Sequence, residues 1–340
     1  MHRKYNLALQ GGGSHGAFTW GVLDRLLEEG RLRIEGISGA SAGSMNAAAL
    51  ASGYAESGVH GARRTLDDFW ARIGEYSCLN PLQPGLLAEL CPDKSLPLTP
   101  NMATFSTLGM FLSPYQFNPL AINPLREIIE QTIDFERLRN NSPIELFIAT
   151  TAVSTGKLRI FRNRELSADV LLASACLPSL QHAVEIDGER YWDGGYSGNP
   201  PIFPLLHECS SDDVLIVLLL PLNHDTHPIT AAQINSRSSE MNFSTAFLRE
   251  MRAIADAKQR LSHKLITLGS LERRLRHLRI HIIEAQELLH RLGDDSRYNT
   301  RESFLEMLKQ AGREHAEQWL GEHGKAIGKR SSVDVAELFC

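Results

Sequence analysis

Residues 5–43 read YNLALQGGGSHGAFTWGVLDRLLEEGRLRIEGISGASAG. Tyr5–Gln10 is a short apolar run, and Gly11-Gly12-Gly13 ends it. Ala17–Glu29 then sets Phe18, Val22, Leu23, Leu26 and Leu27 at helical spacing, with Gly30 where a helix closes in a left-handed residue. Leu32–Ile37 reads as a second strand, Gly39–Gly43 as a turn and Gly43–Ser52 as an Ala-rich helix. Strand–helix–strand with links this short predicts a parallel sheet with right-handed crossovers.

The same rhythm returns further along. Leu125–Ile133 reads as a helix, Glu145–Val153 and Lys157–Phe161 as strands, and Val170–Cys176 as a small helix stopped by Pro178. Arg190–Asp193 ends a strand, and Asp213–Leu220 is a central buried one. After about residue 230 the chain is helical and more basic. Ser236–Leu261 and Thr300–His323 are amphipathic, with Leu278–Ile283 as one more strand between them. Ser95–Leu125 breaks the pattern, because it holds no charged residue and carries Pro97, Pro100, Pro114, Pro119 and Pro124. Proline recurs too often there for a helix. A long uncharged loop with Phe105, Phe111, Tyr115 and Phe117 either tucks under the core or forms a lid facing an apolar ligand.

Composition narrows the class. The chain has 340 residues, 35 Lys+Arg against 40 Asp+Glu, a net charge of -5 and 43% hydrophobic residues. That balance excludes a nucleic-acid coat and wholesale disorder. Five cysteines (78, 91, 176, 209 and 340) without a CxxC pair fit neither a disulfide framework nor a Cys-rich zinc site, and point to a reducing compartment. The longest apolar run, Val214–Leu220, is far short of the ~20 residues of a membrane span. Residues 1–9 lack the apolar h-region of a secretory signal, so a cytoplasmic location is expected.

Three patterns carry chemistry. Gly11-Gly12-Gly13-Ser14-His15-Gly16 lies where the first strand turns into the first helix, a setting in which backbone N–H groups face a ligand. It also satisfies GxGxxG, which leaves open a dinucleotide site with Glu35 as the ribose-binding acid. Gly39-Ala40-Ser41-Ala42-Gly43 is G-x-S-x-G between strand and helix, where small neighbours allow the sharp turn that exposes a nucleophilic Oγ. Its plain alternative is a helix start capped by Ser38 or Ser41. Asp193-Gly194-Gly195 reads as a turn, but a serine nucleophile needs a base from elsewhere in the chain. Later histidines such as His207, His224 and His227 stand in no diagnostic setting.

In this order the three patterns resemble the patatin-like phospholipase family, over roughly residues 5–222. Ala173-Ser174-Ala175-Cys176-Leu177-Pro178 is similar to that family's small-residue helix ahead of the aspartate strand. The basic tail, with Asp295–Asn299 and Gly312-Arg313, is similar to the extension of some bacterial members. The resemblance implies a three-layer α/β fold, a mainly parallel sheet between helices with a helical C-terminal extension. It implies a hydrolase domain over 5–222, with an apolar insertion or lid at 75–125, and an extension over 223–340 packed on the core.

It further implies a Ser41–Asp193 dyad without histidine that cleaves lipid carboxyl esters through an acyl-enzyme. Gly11, Gly12, Gly13 and Ala42 would form the oxyanion hole, and Gly16, Gly39, Gly43, Gly194 and Gly195 would shape the motifs. No cofactor and no metal are expected; the partner is a lipid or acyl-ester substrate, with peripheral membrane contact. The same dyad would equally serve an acyltransferase or a polyester depolymerase, while a silent lipid-binding protein or a nucleotide-dependent oxidoreductase would not use Ser41. The family usually has Arg or Lys where His15 stands, so a permanent cation gives way to a group mostly neutral at pH 7. That bears on anionic head groups and not on the dyad. The basic stretch Arg249–Arg279 reads as a solvated helix face or a contact for anionic lipid.

Overall fold

A computed structural model describes residues 3–30, 32–80, 82–83, 112–223, 227–262, 269–292 and 294–340. Most of the apolar insertion, including Phe105 and Phe111, lies outside these residues. The described strands β1 (Arg3–Leu9), β2 (Leu32–Gly39), β3 (Glu145–Ala152), β4 (Leu158–Arg162), β5 (Val184–Ile186), β6 (Glu189–Asp193), β7 (Asp213–Leu218) and β8 (Arg279–Glu284) form one sheet. Its order is β5-β6-β3-β2-β1-β7-β8, with β4 also paired to β3. The run from β3 to β8 is parallel, and β4, β5 and β6 add antiparallel pairs.

Period-2 alternation sends neighbouring side chains to opposite faces. Leu7, Leu9, Leu215 and Val217 join one apolar cluster, and Ala8, Val214, Ile216 and Leu218 join the other. The first face is covered by α1 (Gly16–Glu29), α2 (Ala42–Glu75), α3 (Ala168–Ser174) and, from the tail, α5 (Glu302–His323). The second is covered by α4 (Ala231–Ser262) with shorter helices at Phe203–Glu208, Ser270–His277 and Val335–Phe339. With both faces covered, β7 is buried along its length, as a doubly covered parallel strand must be. This is the three-layer fold expected.

Two details differ from the sequence reading. The Ala-rich helix does not stop at Ser52; it runs on to Glu75 across a kink where Ser57 and Gly58 leave helical geometry, Gly58 at φ 63. Arg274 and Arg279 are neither a solvated face nor free for lipid. Arg274 donates to the carbonyls of Leu206, Cys209, Ser210 and Ser211. Arg279 grips Asp213 through two bonds at 2.9 and 2.8 Å.

The tail is bound into the sheet and its covering layers. β8 extends the sheet beyond β7. α5 crosses α1 so closely that a Cβ on Gly21 would lie 1.9 Å from the Lys309 carbonyl oxygen, and one on Gly312 2.0 Å from that of Phe18. Beside this crossing, buried Asp24 is held by Arg63 and Arg313.

Candidate active site

The sheet's pairing brings two strand ends together. β4 occupies one edge of β3 over residues 147–151, so β2 and β6 must share the other. They approach each other along it, with Gly39 opposite Ile148 and Asp193 opposite Thr150. Two residues of strand separate them, roughly 7 Å. The G-x-S-x-G turn and the Asp-Gly-Gly turn therefore leave the sheet at one place.

Ser41 sits on a strained elbow, at φ 53 and ψ -125. Left-handed φ is costly for a residue with a Cβ and persists only where the surroundings enforce it. Those surroundings are glycines and one serine. A Cβ on Gly39 would lie 2.7 Å from Gly43 C, and one on Gly43 2.1 Å from the Leu9 carbonyl oxygen. The Ser41 N–H donates to both the carbonyl and the Oγ of Ser174, at 3.1 Å each. Ser174 Oγ donates its own proton to Ala149 O at 2.7 Å, so Ser44 Oγ, also at 2.7 Å, is a donor to it. The small-residue helix α3 thus pins the elbow from below. Ala42 opens α2, so its N–H has no intrahelical acceptor.

The glycine loop lies directly against this elbow, since a Cβ on Gly11 would stand 2.7 Å from both Ser41 Cβ and Ala40 O. Gln10 anchors the loop. Its N–H donates to Val217 O at 3.1 Å, and its Oε1 accepts Leu219 N–H at 2.6 Å and Leu220 N–H at 2.8 Å. Gly13 is left-handed at φ 61. Gly16 opens α1 against Ala42 and Trp70, where a Cβ would lie 2.7 Å from Ala42 Cβ. One expectation changes. The Gly11 N–H donates to Asn199 Oδ1 at 2.7 Å, which removes it from the candidate oxyanion donors and leaves Gly12, Gly13 and Ala42.

Asp193 is fully buried. Its N–H donates to Cys176 O at 2.8 Å, and its carbonyl accepts the Thr151 hydroxyl at 2.8 Å. Oδ1 accepts the Gly195 N–H at 2.7 Å. Burial pushes the carboxyl up to about 7, against the opposing pull of the Gly195 N–H and the Ser41 side chain. Oδ2 is buried and accepts no hydrogen bond among the described residues. Gly194 and Gly195 admit no side chain, because a Cβ would lie 2.2 Å from Ala149 O and 2.3 Å from the Phe243 ring respectively.

The tail walls the site on two sides. Phe243 of α4 packs over Gly195 and against Tyr196, with ring centroids 4.7 Å apart. Opposite, His15 is buried and its Nε2 lies 2.7 Å from Ser296 Oγ. Burial, and then the charge of Arg297, lower its pKa to about 3, so it stays neutral. Gln10, Asn199 and Phe243 are contacts that no local pattern in the sequence marks, whereas Ser174 and Ser296 lie in the small-residue helix and the Asp295–Asn299 stretch that carry the resemblance. Glu35 is far from the loop. It accepts the Ser210 and Ser211 N–H groups at 3.1 and 2.8 Å ahead of β7, so a nucleotide at the glycines has no ribose acid there.

A family model for patatin-like phospholipases matches residues 7–206. Among solved structures, VipD from Legionella pneumophila is 15% identical, with 95% of this chain and 67% of VipD covered at a TM-score of 0.44. The ExoU–SpcU complex from the type III secretion system of Pseudomonas aeruginosa is 18% identical, with 99% of this chain and 74% of that chain covered at a TM-score of 0.32. At those scores the structural likeness adds nothing to the family match. No functionally curated protein matches the chain. The matched span is more than half of the 340 residues and contains all three motifs, and the chain belongs to the patatin-like phospholipase family.

Proposed function

We propose that this chain hydrolyses lipid carboxyl esters with Ser41 as nucleophile and Asp193 as its base. The observation that carries this reading is the meeting of three parts: a serine on a left-handed elbow, a glycine loop packed onto its Cβ, and a buried carboxylate whose ionisation that serine assists. Asp193 takes the Ser41 proton as Oγ bonds to the ester carbonyl carbon. The Gly12, Gly13 and Ala42 N–H groups meet the oxyanion, each such donor being worth roughly 3–4 kcal/mol. Collapse breaks the carbon–oxygen bond to the alcohol, which leaves with the proton from Asp193. Water, deprotonated by Asp193, then releases the fatty acid and restores Ser41. A base with a pKa near the working pH suits both half-reactions.

In this reading residues 5–222 hold the reacting groups, and residues 223–340 supply the walls, Phe243 and Ser296–Arg297. Residues 112–123 border the Asp193 side, where Tyr115 stacks on His182 at 4.1 Å and Leu120 and Ile122 are 79% and 67% exposed. We place the lipid-surface contact there. Among the described residues no helix is long and apolar enough to cross a membrane.

The test is a fluorophosphonate probe with hydrolysis of p-nitrophenyl butyrate and of phospholipid, for the wild type and Ser41→Ala. The wild type should label and turn over both substrates, and the variant should do neither. Labelling that persists in Ser41→Ala would sink the assignment.

A further inference from the structure

The glycine loop carries no cation of its own, because His15 is buried, hydrogen-bonded to Ser296 and neutral. The charge beside it comes from Arg297, the next residue after that anchor. A Cβ on Gly13 would lie 2.4 Å from Arg297 O and 3.6 Å from Arg297 Cβ, so the arginine backbone rests on the loop. Its side chain is a quarter exposed and leads toward α4, with Nη2 4.0 Å from Glu240 Oε1. Glu240 lies one helical turn before Phe243, the ring over Gly195. The arginine thus leads from the glycine loop toward the helix that sets Phe243 over the Asp-Gly-Gly turn.

We infer that Arg297 is a specificity-determining residue, which binds the phosphodiester of a glycerophospholipid as its acyl carbonyl enters the glycine loop. The inference rests on the hydrolase reading above. In a glycerophospholipid the phosphate lies only a few bonds from the ester carbonyl. A carbonyl oxygen at the Gly12 and Gly13 amides thus holds the phosphate within reach of a side chain that starts at Gly13. The planar guanidinium fork matches two phosphate oxygens at once. On binding phosphate, Arg297 exchanges its 4.0 Å pairing with Glu240, a carboxylate that Arg237 also holds at 3.3 Å, for that bidentate contact. Glu240 then acts as a competitor that phosphate must displace.

The test compares phosphatidylglycerol with diacylglycerol of the same acyl chains, both in nonionic micelles, and reads the ratio of their kcat/KM values for the full chain. Removing a charged hydrogen-bond donor should lower the ratio roughly 10- to 100-fold in R297Q, chiefly through KM. R297K should recover part of it, since lysine keeps the charge and loses the fork. E240Q should move the ratio the other way and raise it a few-fold. A merely structural ion pair predicts that R297Q and E240Q weaken both substrates alike. That result, or a ratio unmoved by R297Q in an enzyme still labelled at Ser41, overturns the assignment. If the wild type neither labels at Ser41 nor cleaves either lipid, the hydrolase reading itself fails, and the role of Arg297 falls with it.

Discussion

Asp193→Asn should abolish ester cleavage and at the same time stabilise the fold, by an amount that depends on pH. The wild-type carboxyl is fully buried and its pKa is raised to about 7, whereas an unfolded chain titrates it near 4. Between those values the folded state holds a proton that the unfolded state has released. Wild-type stability therefore falls as pH rises from about 4 to about 7 and is level above that. At about 1.4 kcal/mol per pH unit the whole interval is worth roughly 4 kcal/mol, of which about 1.5 kcal/mol is already lost at pH 5. Asparagine keeps an Oδ1 for the Gly195 N–H and never ionises. Urea unfolding followed by circular dichroism at pH 5 and pH 8 should show Asp193→Asn the more stable protein at pH 8 by several kcal/mol. The gap should shrink to about 2 kcal/mol or less at pH 5. An equal gap at both pH values, or a variant less stable than the wild type at pH 8, would refute the reasoning.

With Asp193 as the proposed base, a rate profile follows. kcat/KM for a soluble ester should rise with pH as Asp193 loses its proton, with its midpoint near pH 7, and a midpoint near 4 would show that the base is not this buried carboxyl. His15, titrating near 3, should add no limb in the working range. Gly312→Ala sets a Cβ 2.0 Å from the Phe18 carbonyl oxygen, backbone that cannot step aside. It should cost roughly 2–3 kcal/mol and loosen α5 from α1, which a thermal melt and faster proteolysis around α5 would report. Gly58→Ala, with nothing within 4 Å of the added Cβ but a φ of 63, should cost only about 1–2 kcal/mol.

The motifs are legible in the sequence where the chemistry is local. Gly39 and Gly43 are needed because the elbow folds back on itself and on β1 within a few residues, and such a turn leaves a pentapeptide signature. The two-sided burial of β1 and β7 is equally plain, since each meets one apolar layer with odd residues and the other with even ones; β2 gives only Ile34 and Ile37, both to the first layer, across a register shift. The partners that hold the site are not local. Asn199 claims the Gly11 N–H, Ser174 holds the Ser41 N–H, and Ser296 takes the His15 ring. Each is a single polar side chain brought in by tertiary packing, and although the stretches around Ser174 and Ser296 carry the resemblance, nothing in them says which group the serine will hold. Glu35 shows the converse. Its spacing from the glycines fits a dinucleotide fold, but Ser210 and Ser211 bind it before the sheet reaches that end.

β3 has a consequence for which changes of chain length this protein can absorb. Ser41 and Asp193 hang from strands that never pair with each other; both are measured off Ile148 and Thr150. The turn at 153–156 can lengthen with little effect on the gap, whereas the residues after it carry β4, Ser174 and Cys176, which hold β3, the elbow and Asp193 in place. One residue added between Ile148 and Thr150 would widen it by about 3.4 Å and turn the following side chains to the opposite face. Among descendants of this sequence, insertions should collect on both sides of β3 and be purged from the three residues at its centre.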